Sequence, residues 1–183
     1  MNKLIAIVAA MGLGLVSLSA MAGDVSAEFR WGDSVNQYKV EVNETVDAVV
    51  TKVKLTGEIE TEQAYRNGLV QSLFNVGAGV PVSYAGYTIT PFLQIGDKLI
   101  TNTTDTVFYG VGAKASRQVF GPVSAEVAYR YRGELSGKPI AERRYMIAAK
   151  YELTSKNVFG VQFYEYNGTI IDHRYGVSYT HKF

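Results

Sequence analysis

From residue 23 onward, apolar side chains fall on every second position, and no stretch keeps a convincing 3.6-residue apolar period. Ten segments show this alternation. Val25, Ala27, Phe29 and Trp31 mark the first, Tyr38, Val40 and Val42 the second, and Val49, Val53 and Leu55 the third. The fourth runs from Phe74 to Val82, the fifth from Tyr87 to Ile95, the sixth from Val107 to Ala115 and the seventh from Val123 to Tyr131. Tyr145 to Tyr151, Phe159 to Phe163 and Tyr175 to Phe183 complete the set. Charged residues keep to the opposite parity: Glu28 and Arg30, Lys39 and Glu41, Lys52 and Lys54, Lys114, Glu126, Arg130, Arg132, Arg144, Lys150, Glu152, Arg174 and Lys182. A cation on the lipid side of a barrel costs about 2–4 kcal/mol at mid-membrane, so such segregation suits a wall with lipid on one side. The pattern predicts an all-β chain, a single closed antiparallel transmembrane β-barrel of ten strands. Eight strands result if the weaker early segments pair differently. A soluble lipocalin-like barrel has the same alternation with the apolar face turned inward.

The connections alternate in expected length. Short turns at 43–46, Ala85-Gly86, 117–121 and 153–157 lie on one side, and 32–36, 57–68, 97–105, 133–142 and 167–170 on the other. That arrangement puts both termini in the periplasm. The chain stops on an aromatic residue closing an alternating strand, with Tyr175, Val177, Tyr179 and Phe183 on one face. This resembles the C-terminal assembly signal of outer-membrane barrels; His181 departs from it, standing where an apolar residue is usual. Trp31, Tyr84, Tyr87, Tyr129, Tyr131, Tyr145 and Tyr151 sit near strand ends, as aromatic girdles do.

The first 22 residues have the form of a Sec signal peptide. Lys3 gives a positive start, Leu4 to Val16 an apolar run, and Ala20-Met21-Ala22 a small-x-small cleavage site. Gly23 is therefore the expected mature N-terminus, and 23–183 the barrel. Removing 22 of 183 residues leaves 161, enough for one domain. Without Lys3 the mature chain holds 17 basic and 17 acidic residues, and a neutral chain lacks the global basic field that nucleic-acid binding needs. There is no Cys, which removes lipoprotein anchoring, thiol chemistry and disulfides.

Tyr109-Gly110-Val111-Gly112-Ala113, followed by "PVSAEVAYRYR" at Pro122–Arg132 and the tail "YGVSYTHKF", resembles the late strands of the OmpA/OmpX-like small outer-membrane barrels. The resemblance covers about the second half of the mature chain. It implies residence in the bacterial outer membrane, contact with its lipid and lipopolysaccharide, and delivery by periplasmic chaperones and the barrel-assembly machinery. The additional hairpin departs from the eight-stranded members.

Chemistry is sparse. Asp172-His173 occupies a strand start where rim proteases of the omptin type keep a carboxylate and an imidazole, but no acidic partners on other strands can be named. The His-x-Ser of lipid A deacylases is missing, because Tyr175 follows His173 and Phe183 follows His181. No metal-ligand spacing occurs, and no cofactor is implied. The informative feature is the inward parity. It carries eleven basic and four acidic residues, an excess of seven, with the compensating acids mainly in outer loops: Asp33, Glu58, Glu60, Glu62, Asp97, Asp105, Glu134, Glu142 and Asp172. Arg30, Arg130, Arg132, Arg144 and Arg174 fall in the half of the lumen away from the termini. Two outcomes follow from such a cluster. Paired with glutamates, it fills a narrow interior and makes a structural barrel. Unpaired, it lines a small passive pore that favours anionic solutes. Oligogalacturonate-type porins share that arginine logic in larger barrels. Loop-mediated adhesion is the alternative role, and an outer-membrane barrel enzyme the third.

Overall fold

The computed structural model describes residues 23–48, 51–65, 68–100, 105–168 and 171–183. The expected signal peptide (1–22) and Val49 lie outside these. The described chain forms β1 (Gly23–Gly32), β2 (Val35–Asp47), β3 (Lys52–Ala64), β4 (Val70–Gly79), β5 (Val82–Tyr84) and β6 (Tyr87–Ile100). It continues with β7 (Thr106–Phe120), β8 (Val123–Ser136), β9 (Ala141–Glu152), β10 (Asn157–Asn167) and β11 (Ile171–Lys182). Both β4 and β5 pair with β6, so they are two parts of one strand interrupted at Val80-Pro81. Proline has no N–H to give a ladder, which explains the break. The wall thus has ten strands.

Every neighbouring pair is antiparallel, and β1 pairs with β11 to close the ring, with Glu28 opposite Ser178 and Trp31 opposite Tyr175. The Phe183 amide donates to the Gly23 carbonyl at 3.0 Å, so both ends of the described chain meet at one rim, called here the terminal rim. A closed ring leaves no strand edge unpaired, which is what a sheet in hydrocarbon requires. The segments that form complete strands are 10 to 15 residues long, sufficient to span a bilayer when tilted.

Burial separates the two barrel readings. Leu93 is 66% exposed, Ile147 63% and Val127 52%, while Arg30 is 0%, Glu60 1% and Arg130 2% exposed. Apolar side chains cover the outside and charged ones fill the inside. The inward-apolar soluble barrel is thereby excluded. Outer aromatic pairs such as Phe29–Tyr38 at 5.0 Å and Tyr129–Tyr145 at 5.2 Å knit neighbouring strands together on the apolar face.

Local chemistry shapes the turns. Ala85 (φ 49°) and Gly86 (φ 79°) both take positive φ between Tyr84 and Tyr87, the type I′ geometry that matches strand twist. Elsewhere the strands run further than polarity suggests. The turn expected at 43–46 lies inside β2, which continues to Asp47, and most of 57–68 belongs to β3. Residues 133–136 extend β8, Ala141 already begins β9, and Asp97 sits within β6 on the outward parity. Hydrophilicity marked those stretches as loops. The period of two, which a strand with a polar lumen also obeys, was the better guide.

Candidate functional site: the charged lumen

The longer strands change the interior. Glu58, Glu60 and Glu62 on β3, Glu142 on β9 and Asp172 on β11 point inward with the basic residues, as does Asp24 on β1. The expected excess of seven positive charges therefore does not stand. Five acids expected in loops, Glu58, Glu60, Glu62, Glu142 and Asp172, are in the lumen because each lies on the inward parity of its strand. The missed signal is "EIETEQ" at Glu58–Gln63, where an acid recurs on alternate residues opposite Ile59 and Thr61.

The five arginines are all in the half of the lumen away from the terminal rim, and each meets acids or aromatic rings. Arg30 donates to Glu28 through Nε (2.9 Å) and Nη2 (2.7 Å), and through Nη1 to Gln37 (2.8 Å) and the Tyr166 hydroxyl (3.0 Å). Its guanidinium also lies 4.4 Å from the Tyr164 ring centre. Arg174 contacts Glu62 and Asp172, each at 2.7 Å, and stacks on Tyr166 at 4.1 Å. Arg132 lies over Phe108 at 4.8 Å. Fork-shaped guanidinium suits such bidentate and stacked contacts better than a lysine ammonium would. Inward Tyr164 and Tyr166 sit on β10 two residues apart, on the parity of Gln162 rather than of outward Phe163.

One layer of ion pairs spans the lumen, and it is the layer proposed below to shut it. β3 and β8 lie on facing walls, separated by β4, β6 and β7 on the shorter way round. Arg130 Nη1 reaches Glu58 at 3.3 Å and Glu60 at 3.4 Å, and Arg132 Nη2 reaches both at 3.1 Å. Glu142 approaches the same two arginines at 3.3 and 3.7 Å. Glu60 further accepts from Gln37 Nε2 at 2.6 Å and lies 3.7 Å from Arg30 and 3.8 Å from Arg144. Glu60 is thus the shared anion of four guanidinium groups. Below it, Lys39 Nζ gathers Glu41 (2.6 Å), Glu58 (3.4 Å) and Glu28 (3.6 Å), which relieves the direct opposition of Glu41 and Glu58 in the β2–β3 register.

The wall behind this layer is thinned by glycine. A Cβ on Gly110 would lie 2.5 Å from Gln94 Cγ, and one on Gly112 would lie 2.3 Å from the Tyr129 carbonyl oxygen and 2.5 Å from Phe92 Cζ. Only glycine lets Phe92 and Gln94 lie flat there, beside the incoming arginines.

Toward the terminal rim the lumen opens into a cavity of about 150 Å³, with Arg130, Arg144 and Tyr164 at its inner end and Lys54, Lys114 and Lys150 nearer the opening. Lys150 bonds Glu126 at 2.8 Å, Lys114 is 3.8 Å from the same carboxylate, and Lys54 is 4.0 Å from Asp24.

Neighbours Asp172 and His173 are parted by the strand itself. Asp172 faces inward on Arg174, while His173 faces outward, stacked on Phe163 at 5.8 Å and 3.7 Å from Glu165. They cannot act as a carboxylate–imidazole pair. At the terminal rim, Tyr179 donates to Asn157 at 2.7 Å and His181 Nδ1 contacts the same oxygen at 2.9 Å. Tyr175, Val177 and Tyr179 share the outward face, and Phe183 stacks edge-on against His181.

These features define a closed ten-stranded antiparallel barrel, apolar outside and charged within, with the fold of outer-membrane porins. No family model and no curated protein sequence matches the chain. Solved structures do. An outer membrane channel from Pseudomonas putida F1 superposes with a TM-score of 0.59 at 7% identity, over 89% of this chain and 96% of that one. The NanC porin gives 0.54 at 12% identity, covering 88% and 100%, and the KdgM porin gives 0.52 at 12%, covering 87% and 99%. At such identities the likeness is one of fold. It extends to outer-membrane barrels as a class, and the OmpA/OmpX-like subtype is narrower than these neighbours carry.

Proposed function

We propose that the chain is a non-enzymatic barrel of the bacterial outer membrane, a narrow passive lumen held shut by ion pairs and favouring anions when it opens. Both termini face the periplasm in this arrangement. Export follows the Sec route, and the assembly machinery reads Tyr175, Val177, Tyr179 and Phe183. The observation that carries the reading is the contact of Glu58 and Glu60 with Arg130 and Arg132 across the lumen. Side chains that meet from facing walls, at 1–6% exposure, support a lumen closed at that level. If the acids leave, fixed guanidinium charge remains, and a pore so lined prefers anions. The same layer supports a purely structural role, in which it never opens. Adhesion has no comparable observation behind it: among the described residues, 33–34 and 137–140 give little chain to project.

Planar-bilayer recording separates these. The wild-type barrel is expected to conduct little, and Glu58→Ala/Glu60→Ala to conduct steadily with an anion-preferring reversal potential. A wild-type barrel with large steady conductance overturns the shut layer. A silent double variant that is correctly folded leaves the structural role, and a cation-preferring one overturns the anion preference.

A further inference from the structure

We propose that the cavity on the terminal-rim side of the shut layer is a binding cup for a small carboxylate anion, seated between Arg130 and Arg144. The cup rests on the solute-accessible lumen proposed above, though not on that lumen opening through. Arg130 on β8 and Arg144 on β9 are direct cross-strand partners. Like charges placed so destabilise a sheet unless something lies between them. Elsewhere in the lumen each arginine has an acid close by, as Arg30 has Glu28 and Arg174 has Asp172. Arg144 does not. Its Nη1 is buried without a hydrogen-bond partner, and its nearest carboxylate, Glu60, is 3.8 Å away. Arg130 Nε is likewise buried without an acceptor, on a side chain only 2% exposed, and its carboxylate contacts are long at 3.3–3.4 Å. Buried donors left unmade are costly, and charged ones more so.

Both arginines also line the cavity, so an anion entering it meets their side chains. A carboxylate presents two coplanar oxygens to guanidinium N–H groups, the geometry these side chains recognise best. About 150 Å³ holds a molecule of roughly six non-hydrogen atoms, which limits the ligand to a short acid. The entrance is charged to suit. Lys54, Lys114 and Lys150 keep 25%, 31% and 30% exposure, so solvent reaches them from the terminal rim. Their acids there are Glu126, shared by two lysines, and Asp24 at the limit of contact with the third. Glu41 also lines the cavity but is engaged by Lys39. Three ammonium groups over two engaged carboxylates draw an anion inward.

The test uses the full mature barrel refolded in detergent, with acetate as probe and saturation-transfer NMR at constant ionic strength. Acetate should bind saturably, with Arg144→Met weakening it at least tenfold and Arg144→Lys recovering part of the loss. Lys182→Met should change nothing, since Lys182 is engaged by Glu152 at the rim. Should Arg144→Met fail to fold, Lys114→Met, which leaves both arginines in place, should still weaken acetate several-fold. Absence of saturable acetate binding by the wild type overturns the cup, as does binding indifferent to both Arg144 and Lys114 or displaced equally by chloride. Conductance distinguishes this from failure of the proposed function. A shut barrel that ignores acetate loses only the cup, whereas an open barrel that binds it loses only the shut layer.

Discussion

Replacing Glu60 by glutamine removes one charge and almost no volume from the centre of the lumen. Four guanidinium groups lie within 4 Å of that carboxylate, with Arg132 at 3.1 Å, Arg130 at 3.4 Å, Arg30 at 3.7 Å and Arg144 at 3.8 Å. Deleting one partner of a buried ion pair costs about 3–5 kcal/mol, because the other charge is left in a poor solvent. Here Arg30 retains Glu28, and Arg130 and Arg132 retain Glu58 and Glu142. Only Arg144 retains no acid within bridging distance among the described residues. The expected loss therefore sits at the lower end, about 3 kcal/mol, and most of it is felt at Arg144. Denaturant unfolding in lipid vesicles, followed by the fluorescence of the single tryptophan Trp31, measures it. Adding Arg144→Met should recover about 1 kcal/mol or more, the coupling expected of residues in one network. A Glu60→Gln barrel within about 0.5 kcal/mol of wild type, the range of an ordinary surface substitution, would refute the idea that Glu60 holds the layer together.

Three further outcomes are expected. Val127→Arg should destabilise the bilayer-embedded barrel by about 2–4 kcal/mol, since Val127 faces outward, although arginine is accommodated three residues later at Arg130; unchanged stability would invert the faces. Gly112→Ala should cost about 1–3 kcal/mol by the same unfolding assay, because its Cβ would press on the Tyr129 carbonyl oxygen and Phe92, and a neutral result would mean the wall yields there. Deleting Phe183 should lower the amount inserted into the outer membrane of cells while detergent refolding stays nearly intact, and equal cellular levels would deny it an assembly role.

The ring of ten strands was legible because lipid imposes a one-sided constraint. Val25 through Trp31 or Val123 through Tyr131 carry no charge on the outward parity, and that alone gives face, strand count and closure. The lumen was less legible because no such rule governs it. Inside a narrow barrel a glutamate is as acceptable as an arginine, provided each finds the other. Glu58, Glu60 and Glu62 therefore look like a polar loop until β3 is known to run to Ala64. Which acid meets which base depends on register and on facing walls. The contact of β3 with β8 joins residues 70 or more apart, which no local pattern encodes.

The interior thus replaces an apolar core with an electrostatic one, and that choice has a functional consequence. A packed apolar core loses stability wherever it is parted, whereas ion pairs in a lumen can exchange partners for water or a solute anion. The two levels of the lumen differ in how far that exchange has gone. In the shut layer every acid is matched: Glu58 and Glu60 have Arg130 and Arg132, and Glu62 has Arg174. Beside and beneath it, Arg130 Nε and Arg144 Nη1 lack acceptors, as Arg132 Nε does within the layer, and three lysines share their acids loosely. Closure and anion affinity therefore share Arg130 but otherwise draw on different residues, the β3 glutamates at one level and the three lysines at the other. Substitutions among the β3 glutamates should change conductance first, and acetate binding only through the arginines they release. Substitutions at Lys54, Lys114 or Lys150 should change acetate binding while the barrel stays shut. Finding both properties tied to one set of residues would collapse the two levels into a single site.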